Sequence, residues 1–382
     1  KIVIQIPYFC TMRFLSADWI YPLHVSPIKD GVLQVSDKGE IINLFESRSE
    51  VSFDKLEKFE GLLCPGFVNA HCHLELSHLL GKAEKGKGFL DFVAAIQSRN
   101  KFNQEVIQNA IIKAEEQMIK NGIVAVGDIS NTTDTLSQKQ TGNLLYYNFI
   151  ETFQINEKKI KETLTSAKII RDKFRNSGMK ATIVPHAPYS VPPKLMNGIS
   201  NFFDNQDDLL TIHMQETKEE NQLFVKKEGK LFEWLENINA SSEIWKDRDN
   251  SIDVLKELGR KKILIVHNTF SKKEDITDNY YCTCPKANLY IEDSLPDYSI
   301  LNPEKLCVGT DSLASNNSLS ILEEILIIQK NSDFDLNTLL KIACKNGAEA
   351  LGFENLGTFD KGKNPGVNLI PDFNKTKTIK II

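Results

Sequence analysis

Pro65-Gly-Phe-Val-Asn-Ala-His-Cys-His73 is an apolar run that closes on two histidines one residue apart, and the rhythm of the chain changes on either side of it. Strand side chains alternate with a period of two, so His71 and His73 point to one side and Cys72 to the other. Two imidazoles on one side are half of a first-row metal site. Upstream, residues 12 to 64 hold short strand-like runs at 13–20, 32–36, 41–45, 51–53 and 61–64. Tight-turn chemistry at Lys29-Asp30-Gly31 and Asp37-Lys38-Gly39 divides them.

Downstream, residues 67–71 are followed by further strand-like runs at 123–128, 144–150, 181–185, 209–212, 263–266, 279–284 and 305–308. Helical patterns lie between them, at 105–120, 156–174, 222–235 and 318–329. Such alternation is that of βα units feeding a parallel sheet. Eight units in roughly 280 residues fit an α/β architecture, a (β/α)8 TIM barrel, whose usual size is about 250 residues or somewhat more. The rival, a doubly wound open sheet, is disfavoured because no Gly-rich phosphate turn follows the first run. Past Gly352, strand and turn chemistry returns at 357–366, 367–371 and 377–382. The expected organisation is therefore a barrel at 65–352 and a small composite β-sandwich domain, residues 1–64 giving its N-terminal part and 353–382 its C-terminal part.

Composition limits the function classes. Of 382 residues, 41% are hydrophobic and 25% charged, which excludes a disordered chain, a fibre and a small disulfide-stapled scaffold. With 46 Lys and Arg against 51 Asp and Glu, the net charge of −5 offers no overall field for nucleic acid or an anionic membrane surface. A small-molecule substrate is the expected partner; a homodimer is expected only from the general frequency of two-fold oligomers. No apolar stretch reaches the 18 residues that a membrane span needs. The start, Lys1-Ile-Val-Ile-Gln-Ile-Pro-Tyr-Phe-Cys10, resembles a weak signal peptide, but Gln5 and Pro7 interrupt it. The seven cysteines (Cys10, Cys64, Cys72, Cys282, Cys284, Cys307, Cys344) are scattered, most of them in apolar runs. They read as buried free thiols of a cytoplasmic protein.

The chain has only seven histidines, and five of them close strand-like runs. His71 and His73 end the first, His186 the fourth, His213 the fifth and His267 the sixth; Asp311 ends the eighth. In a parallel barrel the carboxyl ends of all strands share one mouth, so these side chains are expected to converge. His186 and His267 read equally well as groups serving substrate or water, and His24 and His78 as surface or loop residues. Asp311, in Gly309-Thr310-Asp311-Ser312, has the alternative of capping the helix that starts near Ser318. Glu216 lies three residues past His213, where a carboxylate can move a proton between a metal-activated water and a substrate. A metal brings that water's pKa toward about 7. The plainer reading of Glu216 is a solvated loop charge within 216–220.

Taken together these motifs resemble the amidohydrolase superfamily. Pro65-Gly-Phe-Val-Asn-Ala-His-Cys-His73 is similar to its first-strand motif. His186-Ala-Pro-Tyr189, His213-x-x-Glu216, His267-Asn268, Cys284-Pro-Lys-Ala-Asn288 and Gly309-Thr-Asp-Ser-Leu-Ala-Ser-Asn316 follow in the order of its cytosine deaminase, chlorohydrolase and S-adenosylhomocysteine deaminase branch. The resemblance implies one divalent metal ion, zinc or alternatively iron, held by His71, His73, His213 and Asp311. It also implies Glu216 as proton shuttle, His267 as the residue orienting water and leaving group, and His186 as a substrate contact. Binuclear members carry a carbamylated lysine on the fourth strand, where this chain has His186. Departures are Cys72 where threonine is commoner and Ala287 where serine usually precedes the asparagine. His73-Leu-Glu75 fits the H-x-E of the small cytidine deaminases, but no P-C-x-x-C follows.

His73-Leu-Glu-Leu-Ser77 further resembles the aminodeoxyfutalosine deaminase subgroup. Glu75 and Ser77 are expected to touch substrate from a loop whose Gly81, Gly86 and Gly88 suit a lid. Asp91 and Arg99 are expected to read a ribose or a carboxylate, the alternative being surface charges and caps. The reaction expected is hydrolytic deamination of an aminated heterocycle of the purine nucleoside type, with Glu216, His267 and Asp311 moving protons. Dechlorination or cyclic amide hydrolysis on the same site, a metal-free glycosidase using Glu151 and Glu216, and a non-catalytic metal-holding protein remain the alternatives.

Overall fold

The computed structural model describes residues 12–202, 208–259, 262–375 and 377–382. The signal-like start and Cys10 lie outside the described residues. Eight parallel strands carry the site: β1 (Phe67–Cys72), β2 (Ile123–Ser130), β3 (Leu145–Thr152), β4 (Lys180–Pro185), β5 (Leu210–Met214), β6 (Ile263–His267), β7 (Tyr280–Thr283) and β8 (Leu306–Val308). They form two four-stranded sheets, β1 to β4 and β5 to β8, each in sequence order. Every residue of β1, β5 and β6 is buried; β6 reads as the continuous apolar run Ile263–Val266 before His267, as a strand covered on both faces does, while β1 and β5 also bury the polar Asn69, His71, Thr211 and His213.

Hydrogen bonds cross both seams between the two sheets. At one seam, Thr310 N and Asp311 N each donate to His71 O at 3.1 Å, and Cys72 bridges Asp311 in parallel register. Asn69 and Thr310 clamp the same seam, Nδ2 to Oγ1 at 2.8 Å and N to Oδ1 at 3.1 Å. At the other seam, His213 N donates to His186 O at 2.9 Å. Both ends of the chain enter one antiparallel pairing, Val367–Ile370 against Leu62–Pro65, within a five-stranded sheet. A separate apolar cluster, including Leu15, Ile20, Leu33, Leu63, Phe359 and Val367, ties that sheet to the four-stranded one built from residues 13–58.

Three local expectations differ from what is observed. The strand expected at 51–53 gives way to short 3-10 turns at Arg48–Glu50 and Phe53–Lys55, with the strand displaced to Leu56–Lys58. Ser47 and Glu50 form a capping box that takes up the backbone there. The helix expected over 222–235 is broken. A π turn at Gln222–Lys226 ends on Lys227 at φ +56°, and a new helix runs Lys230–Asn237 after Gly229 at φ +98°. Asp311 caps no helix either: Ser320 does so, its side chain accepting from Glu323 N ahead of Ile321–Lys330. The six described cysteines are free and buried. No helix among the described residues is long and apolar enough to cross a membrane.

Candidate active site

His71, His73, His213 and Asp311 meet at the carboxyl ends of β1, β5 and β8, each at most 8% exposed. His73 Nε2 lies 3.2 Å from His71 Nε2, 3.3 Å from His213 Nε2 and 3.3 Å from Asp311 Oδ1; His71 Nε2 is 3.6 Å from the same oxygen. The outer groups set the protons. His213 Nδ1 is 3.0 Å from His186 O, a pure acceptor, so Nδ1 carries the hydrogen and Nε2 points a lone pair inward. Asp311 Oδ2 accepts from Ser315 Oγ, leaving Oδ1 to face the imidazoles. Three imidazole nitrogens and one carboxylate oxygen this close together suit a cation that takes all four lone pairs, and the donor set fits one divalent metal.

Burial reinforces this. It pushes the imidazolium form of His73 down to about 3, helped by the other histidines and opposed by Asp311, and drives His213 well below its usual value. Burial alone would raise the Asp311 carboxyl; the nearby imidazoles of His71, His73 and His267 outweigh it and hold the acid well below the usual carboxylate range. Neutral imidazoles beside an ionised carboxylate are the states that bind metal.

Around this centre the backbone is strained. Gln215, His267, Asn268 and Asp311 all have positive φ, between +48° and +73°, at the ends of β5, β6 and β8. Such conformations cost of order 1–3 kcal/mol each and cluster where side chains must be aimed. His267 Nδ1 is 2.8 Å from Asn288 Oδ1, while its buried Nε2 meets no hydrogen-bond partner and lies 3.6 Å from Glu216 Oε1. Burial, with the charges of Asp311, Glu292 and Glu151 and against that of His267, pushes the Glu216 carboxyl up to about 7. Glu216 is therefore a buried site acid, not a solvated loop charge.

These groups open into a cavity of about 590 Å³. One wall is apolar, from Phe89, Phe92, Ile96, Phe153, Trp234 and Ile238; the floor holds His73, Glu151, His186, Glu216, His267 and Asp311. His186 is half-buried, with Nδ1 2.8 Å from Ser190 Oγ, and burial lowers it to about 4. Of the loop residues expected to meet substrate, only Arg99 lines the cavity. Asp91 does not: it is exposed on the helix Phe89–Gln97, whose other face supplies the wall. Ser77 Oγ donates to Leu74 O at 2.7 Å and closes its own turn. Glu75 is buried and accepts from Asn131 N, Thr132 N and Thr132 Oγ1, all at 3.0 Å, so it anchors the loop after β2.

Sequence reasoning passed over Asn131 and the aromatic wall, and gave Glu151 a part only in a metal-free alternative. Glu151 carries the same signal as the histidines, a polar residue at the end of a strand-like run. It also passed over a buried ion pair between β2 and the helix Leu136–Lys139 that follows it. Lys139 Nζ donates to Asp128 Oδ2 and, at 2.7 Å, to Asn148 Oδ1, while Asp128 Oδ1 accepts from Leu74 N at 2.8 Å, next to His73.

Four metal-type ligands at the carboxyl ends of eight parallel strands, open to a cavity, fit the active site of a metal-dependent enzyme. The family model for the amidohydrolase family matches residues 62–380, and the chain belongs to that family, hydrolases acting on carbon–nitrogen bonds. An adenosine deaminase of Helicobacter pylori is 27% identical over 325 residues, covering 79% of this chain and 77% of its own length. A 5′-deoxyadenosine deaminase of Methanococcus vannielii is 28% identical over 346 residues, covering 82% of this chain and 76% of its own. Among solved structures, the Helicobacter pylori aminofutalosine deaminase in complex with methylthio-coformycin superposes with a TM-score of 0.83 at 22% identity, covering 96% of this chain and 97% of that one.

Proposed function

We propose that this chain is a metal-dependent deaminase that hydrolyses an aminated heterocycle of the purine nucleoside type and releases ammonia. The observation that carries the reading is a buried acid, Glu216, placed 3.6 Å from His267 at the edge of a four-ligand metal centre, on the floor of a largely apolar cavity. The deaminases similar to this chain support it. We also read the eight parallel strands as one closed (β/α)8 barrel spanning 65–352, flanked by a composite β-sandwich domain from residues 1–64 and 353–382; the hydrogen bonds across both seams support closure.

His71, His73, His213 and Asp311 would hold one divalent cation, zinc or iron, since imidazole and carboxylate suit both. When bound, it supplies Lewis-acid activation of a water at neutral pH. Glu216, kept protonated near neutrality by burial, gives its proton to the ring nitrogen beside the amine-bearing carbon. His267, fixed through Nδ1 by Asn288, presents Nε2 to the cavity and with Asp311 takes one proton from water. That proton goes to the departing amine. The carbon–oxygen bond forms as the carbon–nitrogen bond breaks, ammonia leaves, and the remaining water proton returns to Glu216. Phe89, Phe92 and Trp234 exclude bulk water and offer flat faces to a heterocycle.

The test is an ammonia-release screen over purines, nucleosides, pterins and aminodeoxyfutalosine, with metal analysis of the same preparation. Glu216→Gln is expected to keep its metal and lose on the order of 10²–10⁴ in turnover. Unchanged turnover at full metal occupancy would reject the role of Glu216, and chloride release in place of ammonia would move the chain to the dechlorinating reaction.

A further inference from the structure

Gln215 holds a conformation that its residue type does not favour. It lies between the ligand His213 and the acid Glu216, just past β5, and is fully buried at φ +48°. Glycine is the default residue at positive φ, and a long side chain is kept there at a cost. Four bonds hold it in place, one to each of its polar groups. The backbone N–H donates to Glu220 Oε1 at 2.9 Å, and the carbonyl accepts from Phe270 N at 3.1 Å. The amide Nε2 donates to Asp275 Oδ2 at 3.0 Å, while Oε1 accepts from Ser271 Oγ. A carboxylate only accepts, so the amide can be seated one way round. A strained residue persists where its surroundings over-determine it, and these surroundings do.

Phe270, Ser271 and Asp275 belong to the loop after β6, the strand that ends on His267. Asp275 is itself anchored, accepting from Lys272 N and Asn250 Nδ2, both at 2.9 Å. Asn268 N reaches back to Met214 O at 3.0 Å. His267 and Asn268 also have positive φ, +73° and +56°, so both chain segments bend sharply where they meet. The two proton-moving groups stand on these bends. Glu216 directly follows Gln215, and its Oε1 lies 3.6 Å from His267 Nε2. That nitrogen has no hydrogen-bond partner, so no bond within the pair fixes the gap. The gap is fixed from outside, and the Gln215 amide joins the two loops one residue from Glu216.

We propose that Gln215 is a positioning residue whose side-chain amide sets the spacing of Glu216 and His267 for proton transfer. This rests on the roles given above to that pair, so one measurement reads geometry and another reads turnover. Gln215→Met keeps the length of the side chain and removes both amide bonds. In its metal-loaded crystal structure the Glu216–His267 separation is expected to grow by about 1 Å, a misplacement that costs on the order of 100-fold in rate. At full metal occupancy kcat is expected to fall about 10- to 100-fold with KM little changed. Ser271→Ala removes one of the two amide bonds from the far side and is expected to lower kcat less. In the Gln215→Met background it is expected to cost nothing further, because it acts through the same amide, whereas plain destabilisation would cost the same in both backgrounds. Where Gln215→Met fails to fold, the same separation and kcat measured on Ser271→Ala decide. An unchanged separation, wild-type kcat, or equal losses from Ser271→Ala in both backgrounds would overturn the proposal. If the wild type releases no ammonia from any aminated heterocycle, the deaminase reading fails by itself. The crystal structure still decides this one, a widened gap sustaining it and a gap held at 3.6 Å refuting it.

Discussion

Gly309 is packed tightly between the two halves of the metal centre. It donates its N–H to Thr283 O at 3.0 Å on one side and lies against His71 on the other. A Cβ at this position would sit 2.6 Å from His71 O, 2.8 Å from His71 Cβ and 2.9 Å from His71 N. Restoring ordinary contact requires roughly 0.6–0.9 Å of separation between the chain at Gly309 and β1. Backbone cannot rotate away as a side-chain tip can, so that movement lands on Thr310 and Asp311, whose N–H groups both bond His71 O. Asp311 and His71 then part by a sizeable fraction of their 3.6 Å separation. Gly309→Ala is expected to cost about 1–3 kcal/mol of stability as an overpacked site. A misplacement near 1 Å costs on the order of 100-fold in catalysis, so kcat/KM should fall by about 10- to 100-fold, with weakened metal retention. Gly198→Ala is the control: its Cβ meets the Leu164 Cδ1 tip at 2.5 Å, far from the centre, and that side chain can turn aside. Metal content after dialysis, thermal melting and kcat/KM on both variants make the assay. Wild-type metal and turnover in Gly309→Ala would refute the claim that this contact sets the ligand spacing.

Two further perturbations probe other buried groups. Lys139→Met strands the carboxylate of Asp128 in a site where both side chains have zero exposure, and should cost about 3–5 kcal/mol in urea unfolding; Asp128→Asn in the same chain should restore part of that loss, and a single-variant cost near zero would refute the pairing. Burial pushes Glu220 up to about 8. The native state therefore holds a proton that the unfolded chain releases near its ordinary carboxylate value, and this group's contribution to stability declines as pH rises from about 4.5 toward 8. Glu220→Gln should lessen that decline in a pH series of urea midpoints, whereas an identical slope would show that Glu220 titrates alike in both states.

The parts of this molecule that were legible from sequence, and those that were not, differ in the range of the interactions that decide them. Parallel strands buried on both faces leave a local trace, so β1 to β8 stand near the eight apolar runs, and the metal-type residues stand at their ends because topology alone brings carboxyl ends together. The helix Phe89–Gln97 left a trace as well. Phe89, Phe92, Val93 and Ile96 repeat at i, i+3, i+4 and i+7, an apolar stripe that turns inward and carries Asp91 outward, so the exposure of Asp91 follows from periodicity that the reading of its charge overlooked. Glu75 is different in kind. Nothing local distinguishes a carboxylate that meets substrate from one that meets backbone 56 residues away. Its three donors from Asn131 and Thr132 place it one step behind the cavity, and Asn131 passes that constraint to Glu151. The loop after the metal-binding strand thus shapes the β3 side of the cavity through a carboxylate that the cavity itself never meets.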